Sequence, residues 1–374
     1  MCAIVFVDTI VFAVVAPLLP SLSHELHLSK LSAGILTGAL AAGNVIGSIP
    51  GGIVAARAGS RWATVVGLIM LAATNIAFGL GNDVVTLDLA RFIQGLAEAF
   101  VWSGAFSWLI TEAPPERRGA LIGLTIAAAG AGSLFGPVIG TIAHLLGREV
   151  VFVSFAAIPL AFAAISWIYG ESARSAAVGL RTMAAALTHG AIMLAGWIVL
   201  LGGAAQAMIT VLAPLRMAAI GGTAAAIGAA FLASAGFESV ASVVGGRASD
   251  RHGPALPLVA GLIGGTVMLP WIAAAGSQLL LAAIVALLGG AVGLIWAPSM
   301  AAISDAGESS ELPNGLTFAL SNMTWGVGAT VGAWGGGGIA KAAGDGFALG
   351  VAAGVWAVTA VILAIRSGSG RRSL

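Results

Sequence analysis

Charge is scarce in this sequence: only 8% of its 374 residues are Asp, Glu, Lys or Arg, against roughly 25% in a soluble domain, while 59% are apolar. A water-soluble fold is excluded. Lysine occurs only at Lys30 and Lys341, so the glycine-rich phosphate loop ending in Gly-Lys-Ser/Thr has no place, and a nucleotide-driven pump within this chain is excluded. The single cysteine, Cys2, excludes an intramolecular disulfide and any CxxC metal or redox motif. Sixteen basic and fifteen acidic residues leave a net charge of +1, which carries no nucleic-acid footprint. No HExxH or other intramembrane His/Asp cluster occurs; His24, His27, His144, His189 and His252 fall at or near predicted helix ends, so neither a metal nor a cofactor is expected.

Long apolar runs fill the chain instead. A membrane helix takes about 20 residues. Runs of that length, separated by charged or Gly/Pro/Asn-rich breaks, lie at about 2–21, 33–56, 62–81, 84–110, 119–145, 150–169, 191–213, 224–246, 256–275, 279–303, 315–340 and 346–366. The reading is an all-α membrane protein with twelve transmembrane helices. With the N-terminus inside, the cytoplasmic segments collect Arg57, Arg61, Arg117, Arg118, Arg174, Arg181, Arg247, Arg251, Arg366, Arg371 and Arg372; the external side has Lys30, Arg148, Arg216 and Lys341. Positive charge is costly to translocate, so both termini are expected in the cytoplasm, with the protein in the cytoplasmic membrane. A secretory signal peptide is the rival reading of the first run. No basic n-region precedes it, Asp8 interrupts it, and no small-residue cleavage site follows Pro20. It is read as a retained helix, with a short native tail expected before it.

The chain contains a duplication. Val15-Ala16-Pro17-Leu18 recurs as Leu212-Ala213-Pro214-Leu215, and Gly52-Ile53-Val54-Ala55-Ala56-Arg57-Ala58-Gly59 recurs as Gly246-Arg247-Ala248-Ser249-Asp250-Arg251-His252-Gly253. Two matches in order, at nearly equal spacing, argue for two six-helix repeats around a central cavity: residues 1–169, a cytoplasmic linker at 170–190, and residues 191–374. Parallel repeats of this kind characterise secondary transporters.

The glycine-arginine-glycine stretch after helix 2 and its copy after helix 8, here Gly52, Arg57 and Gly59 with Asp250, Arg251 and Gly253, resemble the signature loop of the major facilitator superfamily. Arg91-Phe92-Ile93-Gln94-Gly95 in helix 4 is similar to that superfamily's Arg-x-x-Gln-Gly motif, and Gly132, Gly136, Pro137 and Gly140 in helix 5 resemble the Gly-Pro motif of its proton-coupled antiporters. Asp8-Thr9-Ile10 followed by Ala16-Pro17 resembles helix 1 of drug:proton antiporters, including the vesicular amine transporters. The resemblance implies these loops and glycines are gating elements. Two departures stand out. Ala56 occupies the place of the aspartate that the signature loop usually carries, while the copy keeps Asp250, which implies a weakened latch in the N-terminal half. Leu40, Ala297 and Asn322 replace the lysine and acids of the vesicular amine transporters, so their amine specificity is not carried over.

Ionisable groups within a bilayer cost several kcal/mol on insertion scales and are functional candidates by default. Asp8, Arg91, Glu98 and Glu238 qualify, on helices 1, 4, 4 and 8, which line the cavity in the resembled family; none lies on helices 3, 6, 9 or 12, which face lipid there. Asp8 is the first candidate for proton coupling, because a carboxyl in an apolar cavity can take a proton from one side and release it to the other as its hydration changes. The alternative is an acid permanently hydrogen-bonded to a neighbouring helix. Glu98 follows Arg91 by seven residues, two turns along one face, so the two either form a neutralised pair or share in coupling. Glu238 matches Asn44 in the repeat and is either a second proton or cation site or a brace for the loop around Arg251. Asn44, Gln206 and Asn322 are candidates for substrate contact, and Trp102, Trp296 and Trp325 could stack on an aromatic or cationic substrate. Helix packing or interfacial anchoring is the alternative for each tryptophan.

Glycines recur every four residues at Gly43, Gly47 and Gly51, at Gly132, Gly136 and Gly140, and at Gly328, Gly332 and Gly336. Small residues at that spacing let helix backbones approach closely and slide, or pack statically. Pro137 is expected to kink helix 5. Together these features point to alternating-access transport of a small molecule against an inward proton flow, by a monomer in the lipid bilayer. Proton symport of a sugar or organic acid is the alternative within transporters, and a non-transporting membrane sensor is the alternative of another class. An enzyme is not expected, for want of a nucleophile and base at any readable spacing.

Overall fold

The structure, a computed structural model, describes residues 1–112, 118–170, 190–309 and 314–368. The described chain forms twelve helical spans. The first six are α1 Cys2–Glu25, α2 Lys30–Arg57, α3 Ser60–Leu80, α4 Val84–Glu112, α5 Arg118–Leu146 and α6 Arg148–Tyr169. The rest are α7 Gly190–Ala219, α8 Ala224–His252, α9 Ala255–Ala274, α10 Gln278–Ser309, α11 Asn314–Ala343 and α12 Asp345–Gly368. Ten have a stretch long and apolar enough to cross a membrane. The other two are of spanning length, but α4 carries Asp88, Arg91 and Glu98, and α11 carries the glycine run 335–338. The protein is a multi-pass membrane protein of the all-α class. Most of the expected linker 170–190, and Arg117, Arg174, Arg181, Arg371 and Arg372, lie outside the described residues.

Each predicted span has its helix, and the differences lie at the ends. Helix α2 starts at Lys30 rather than 33, because the Ser29 hydroxyl accepts the Ser32 amide at 3.2 Å and caps a turn that precedes the apolar run. Helix α8 continues past 246 to His252 and stops where Gly253 takes φ 82°. Apolar residues mark where a helix leaves lipid; the backbone continues until a residue reverses it.

Helix α1 is broken at Val14, between Ala13 and Val15. Pro17 explains the break, since its ring clashes with the carbonyl four residues earlier, at Ala13, and it brings no N–H to bond there. The repeat-equivalent Pro214 leaves α7 in one piece, and α5 likewise runs unbroken through Pro137.

The chain divides into two compact units, Met1–His27 with Leu36–Val178, and Leu28–Ile35 with Gly179–Leu374. In the first, α1 packs on α5 and α3 on α4; in the second, α7 packs on α11 and α8 on α10. The glycine ladders make two of these contacts. A methyl added at Gly132, Gly136 or Gly140 would lie 2.4 Å from Phe6 O, 2.4 Å from Ala13 Cβ or 2.2 Å from Val14 O, all on α1. At Gly328, Gly332 and Gly336, each 196 residues later, it would lie 2.1 Å from Leu200 O, 2.0 Å from Ala204 O and 2.8 Å from Met208, all on α7. The two units therefore repeat one helix contact, glycine for glycine. On α2, Gly43, Gly47 and Gly51 similarly meet α4 at Phe92, Leu96 and Ala99.

Candidate functional site

In the first unit, the 3-4-3-4 spacing of residues 88, 91, 95, 98 and 102 puts Asp88, Arg91, Gly95, Glu98 and Trp102 on one face of α4. A side chain at Gly95 would lie 1.8 Å from Leu40 O of α2, so glycine there allows α4 to approach α2 closely. Trp102 Nε1 donates to Asp8 Oδ2 at 2.9 Å, and its ring stacks on Phe106 at 5.5 Å. Asp8 is 2% exposed, and its other oxygen, Oδ1, is buried with no hydrogen bond. Glu98, the central residue of α4, lies within electrostatic range of Asp8 and is approached by Asn44 of α2; its Oε2 is also buried without a hydrogen bond. Two carboxyls and two of the predicted contact residues, Asn44 and Trp102, are thus gathered by α1, α2 and α4.

Arg91 and Glu98, read either as a neutralised pair or as sharing in coupling, lie within electrostatic range of each other but make no ion pair within 4 Å. Arg91 Nη1 donates to Val11 O at 3.0 Å and to Gln94 Oε1 at 3.0 Å, and Nη2 donates to Phe12 O at 3.4 Å. Val11 and Phe12 lie just before the Val14 break, where Pro17 disrupts the ladder, and the guanidinium takes their carbonyls as partners. Gln94 Nε2 in turn donates to Asn75 Oδ1 of α3 at 2.9 Å, and the guanidinium stands 5.9 Å from the centre of the Phe78 ring. Gln94, expected as a gating residue, is here a bridge from Arg91 to α3.

Two residues escaped the sequence reading. Asn75 is fully buried, and its signal was an amide within the apolar run of α3, a helix expected to face lipid. Asp88 makes a fifth ionisable residue within the spans; it lies one turn into α4, with Oδ1 buried and unbonded.

In the second unit, three residues singled out separately meet. Gln206 Nε2 of α7 donates to Glu238 Oε2 of α8 at 3.3 Å, and Trp325 Nε1 of α11 donates to Gln206 Oε1 at 3.3 Å. Trp325 and Trp296 pack against the same small cluster of Ala195, Val199 and Ile303, and Asn322 lies three residues before Trp325 on α11. Glu238 is thirteen residues from Arg251, about 20 Å along α8, so it does not brace that loop.

At the helix ends, Arg57, Asp250 and Arg251 are exposed, and none makes an ion pair within 4 Å of another described residue. Gly59 and Gly253, 194 residues apart, both take positive φ, 105° and 82°. The ion pair seen among the described residues joins Lys30 and Asp345 at 2.6 Å, in the second unit.

A duplicated bundle of membrane helices, with carboxyls at mid-helix and a small-residue interface repeated in each half, is the plan of a membrane carrier. This chain belongs to the major facilitator superfamily, whose family model matches residues 1–189. It is 27% identical over 161 residues to multidrug resistance protein 1 of Bacillus subtilis, covering 43% of this chain and 41% of that protein. It is 26% identical over 162 residues to an MFS-type transporter of Metarhizium majus, covering 42% and 35%. The chain therefore matches well under half the length of these curated relatives. A bacterial homologue of the human lysosomal transporter Spinster, in an inward-facing and occupied conformation, superposes with a TM-score of 0.77, covering 100% of this chain and 96% of that one. At 14% identity this likeness is one of fold.

Proposed function

We propose that the protein is a secondary active transporter that exports a small molecule across the cytoplasmic membrane by alternating access, driven by protons flowing inward. The observation that carries this reading is the Asp8 carboxyl, buried in α1, anchored at one oxygen by the Trp102 indole and open at the other, with Glu98 close by. An acid held in place by one neutral donor keeps a free oxygen for a proton. Trp102 has no acceptor to offer in return, so it orients Asp8 without sharing its proton. Export rather than uptake is supported by relatives named for multidrug resistance, and by the Gly-Pro ladder of α5 lying directly on α1. The excess of arginine in the segments assigned to the cytoplasm supports placing both termini there. The force suffices, since each charge crossing 100 mV releases about 2.3 kcal/mol.

Reconstituted Asp8→Asn is expected to lose proton-driven transport while retaining substrate counterflow. If proton-driven transport survives with counterflow unchanged, Asp8 does not couple the proton. Loss of lumenal protons from acid-loaded vesicles on addition of substrate would mark antiport; gain of protons would mark symport.

A further inference from the structure

Helix α3 buries one side chain that its own backbone does not use. The buried hydroxyls of Thr64 and Thr74 turn back to carbonyls of the same helix, at Ser60 and Met70. Asn75, fully buried, reaches out instead: its Oδ1 accepts Gln94 Nε2 of α4 at 2.9 Å. Its Nδ2 is buried and bonds to no described residue, so only the acceptor end of the amide is engaged.

That single bond decides which way the Gln94 amide faces. A guanidinium only donates, so Gln94 must present Oε1 to Arg91 Nη1 and turn Nε2 away. Asn75 Oδ1 receives Nε2 and holds the amide in that sense. Without it, a half-turn of the amide would set NH₂ against the guanidinium. Held this way, Nη1 divides between Gln94 Oε1 and Val11 O, at 3.0 Å each, and Nη2 takes Phe12 O at 3.4 Å. No acid is among these partners. Glu98 lies seven residues further on, about 10 Å along the same face of α4, a gap that arginine and glutamate, the longest basic and acidic side chains, can bridge. The charged residues within its electrostatic range are Asp8 and Arg91, and its Oε2 is buried without a hydrogen bond. An Arg91 released from Gln94 therefore has a vacant carboxylate oxygen two turns away as its next acceptor.

We propose that Asn75 is a positioning residue: acting through Gln94, it keeps Arg91 on the α1 carbonyls and off Glu98, so that the Glu98 carboxyl stays beside Asp8 without a cation of its own. The choice between a neutralised pair and a free acid is thus made from α3. That the free acid then serves in coupling rests on the export reading; the clamp itself does not.

Dicyclohexylcarbodiimide, an apolar reagent that adds to protonated carboxyls and spares ion-paired carboxylates, tests the clamp. The full-length protein is treated in lipid nanodiscs at one fixed pH, without any gradient, and the adduct at Glu98 is read by peptide mass spectrometry. Wild-type Glu98 is expected to be labelled. Asn75→Leu, similar in size but without the acceptor, and Gln94→Leu are each expected to lower labelling about tenfold, the worth of one charge-assisted hydrogen bond. Asn75→Asp keeps the acceptor, loses only the unused donor, and is expected to keep the labelling. Adding Arg91→Met to Asn75→Leu is expected to restore it. The sign is diagnostic, because mere loosening of the helices admits more reagent and raises labelling. Unlabelled wild-type Glu98 overturns the proposal, as does unchanged or raised labelling in both leucine variants, or a fall in Asn75→Leu that persists once Arg91 is removed. Because no gradient is involved, a failure of the Asp8 coupling test would leave this result standing, and the converse also holds.

Discussion

Replacing Gly136 by alanine adds one methyl group to α5 at a point where α1 leaves no space for it. The new Cβ would sit 2.4 Å from Ala13 Cβ and 2.9 Å from the Ala13 carbonyl carbon, whereas carbon atoms rest at about 3.5–4.0 Å. One helix must retreat by about 1 Å, and overpacking of this kind costs about 1–3 kcal/mol. Gly130, on the same helix, has nothing within 4 Å of an added Cβ, so Gly130→Ala gains up to about 1 kcal/mol of helix propensity without a clash. Both substitutions gain the same helix propensity, so they are separated by the overpacking cost, about 1–3 kcal/mol. Gly332→Ala in the second unit, with its Cβ 2.0 Å from Ala204 O, is expected to behave like Gly136→Ala. Half-lives of the purified variants at elevated temperature, read by size exclusion, give the order, and counterflow in vesicles reports whether the interface also moves. If Gly136→Ala and Gly332→Ala last as long as Gly130→Ala with unchanged counterflow, the ladders are not the tight contacts described.

Arg91→Lys keeps the charge but loses the planar fork that reaches Val11 O, Phe12 O and Gln94 Oε1 together. It is expected to cost about 2 kcal/mol, the penalty for stranding a buried carbonyl, and wild-type heat resistance would contradict this. A double-mutant cycle of Lys30→Met and Asp345→Asn is expected to give a coupling of about 1 kcal/mol or less, because the side chains are 38% and 20% exposed; purely additive effects would dismiss the pair. Asp83 caps α4, accepting the Thr86 amide at 2.9 Å and its hydroxyl at 2.6 Å, and these bonds hold its carboxyl below its usual range. Its contribution is present above the unfolded value and is lost as pH falls through the lower folded one, so exchange of the Thr86 amide is expected to accelerate in acid in the wild type and at neutral pH in Asp83→Ala.

Twelve helices are legible because a bilayer demands long apolar runs, and the carboxyls within them are conspicuous because charge is so costly there. The Val14 break was not read, although Pro17 was plain, because the identical dipeptide at Pro214 leaves α7 whole. What differs is the partner supplied from elsewhere. Arg91 donates to Val11 O and Phe12 O just before the Val14 break, whereas the residues 194 positions beyond Arg91 and Gln94 are Val285 and Leu288, whose side chains carry no hydrogen-bond donor. Helix periodicity puts Arg91 and Glu98 on one face but does not choose between a neutralised pair and a share in coupling, because periodicity is blind to backbone acceptors on another helix. Asn75 is a lone uncharged amide in the apolar run of α3, and nothing in the sequence marks it as the acceptor for Gln94. Gln206, Glu238 and Trp325 were each picked out as polar or aromatic exceptions in an apolar chain, yet only the structure joins them through hydrogen bonds.

The bond from Trp102 to Asp8 also makes the protein its own spectroscope. An indole N–H shifts in ultraviolet resonance Raman and in emission when its acceptor changes from carboxylate to carboxylic acid. Arrival of a proton at Asp8 would therefore register at a residue 2.9 Å away without any attached dye. Conservative replacement of the other nine tryptophans would isolate that signal, and the chain's one thiol, at Cys2 in the first turn of the same helix, offers a place for a quencher to report whether α1 moves as the proton binds.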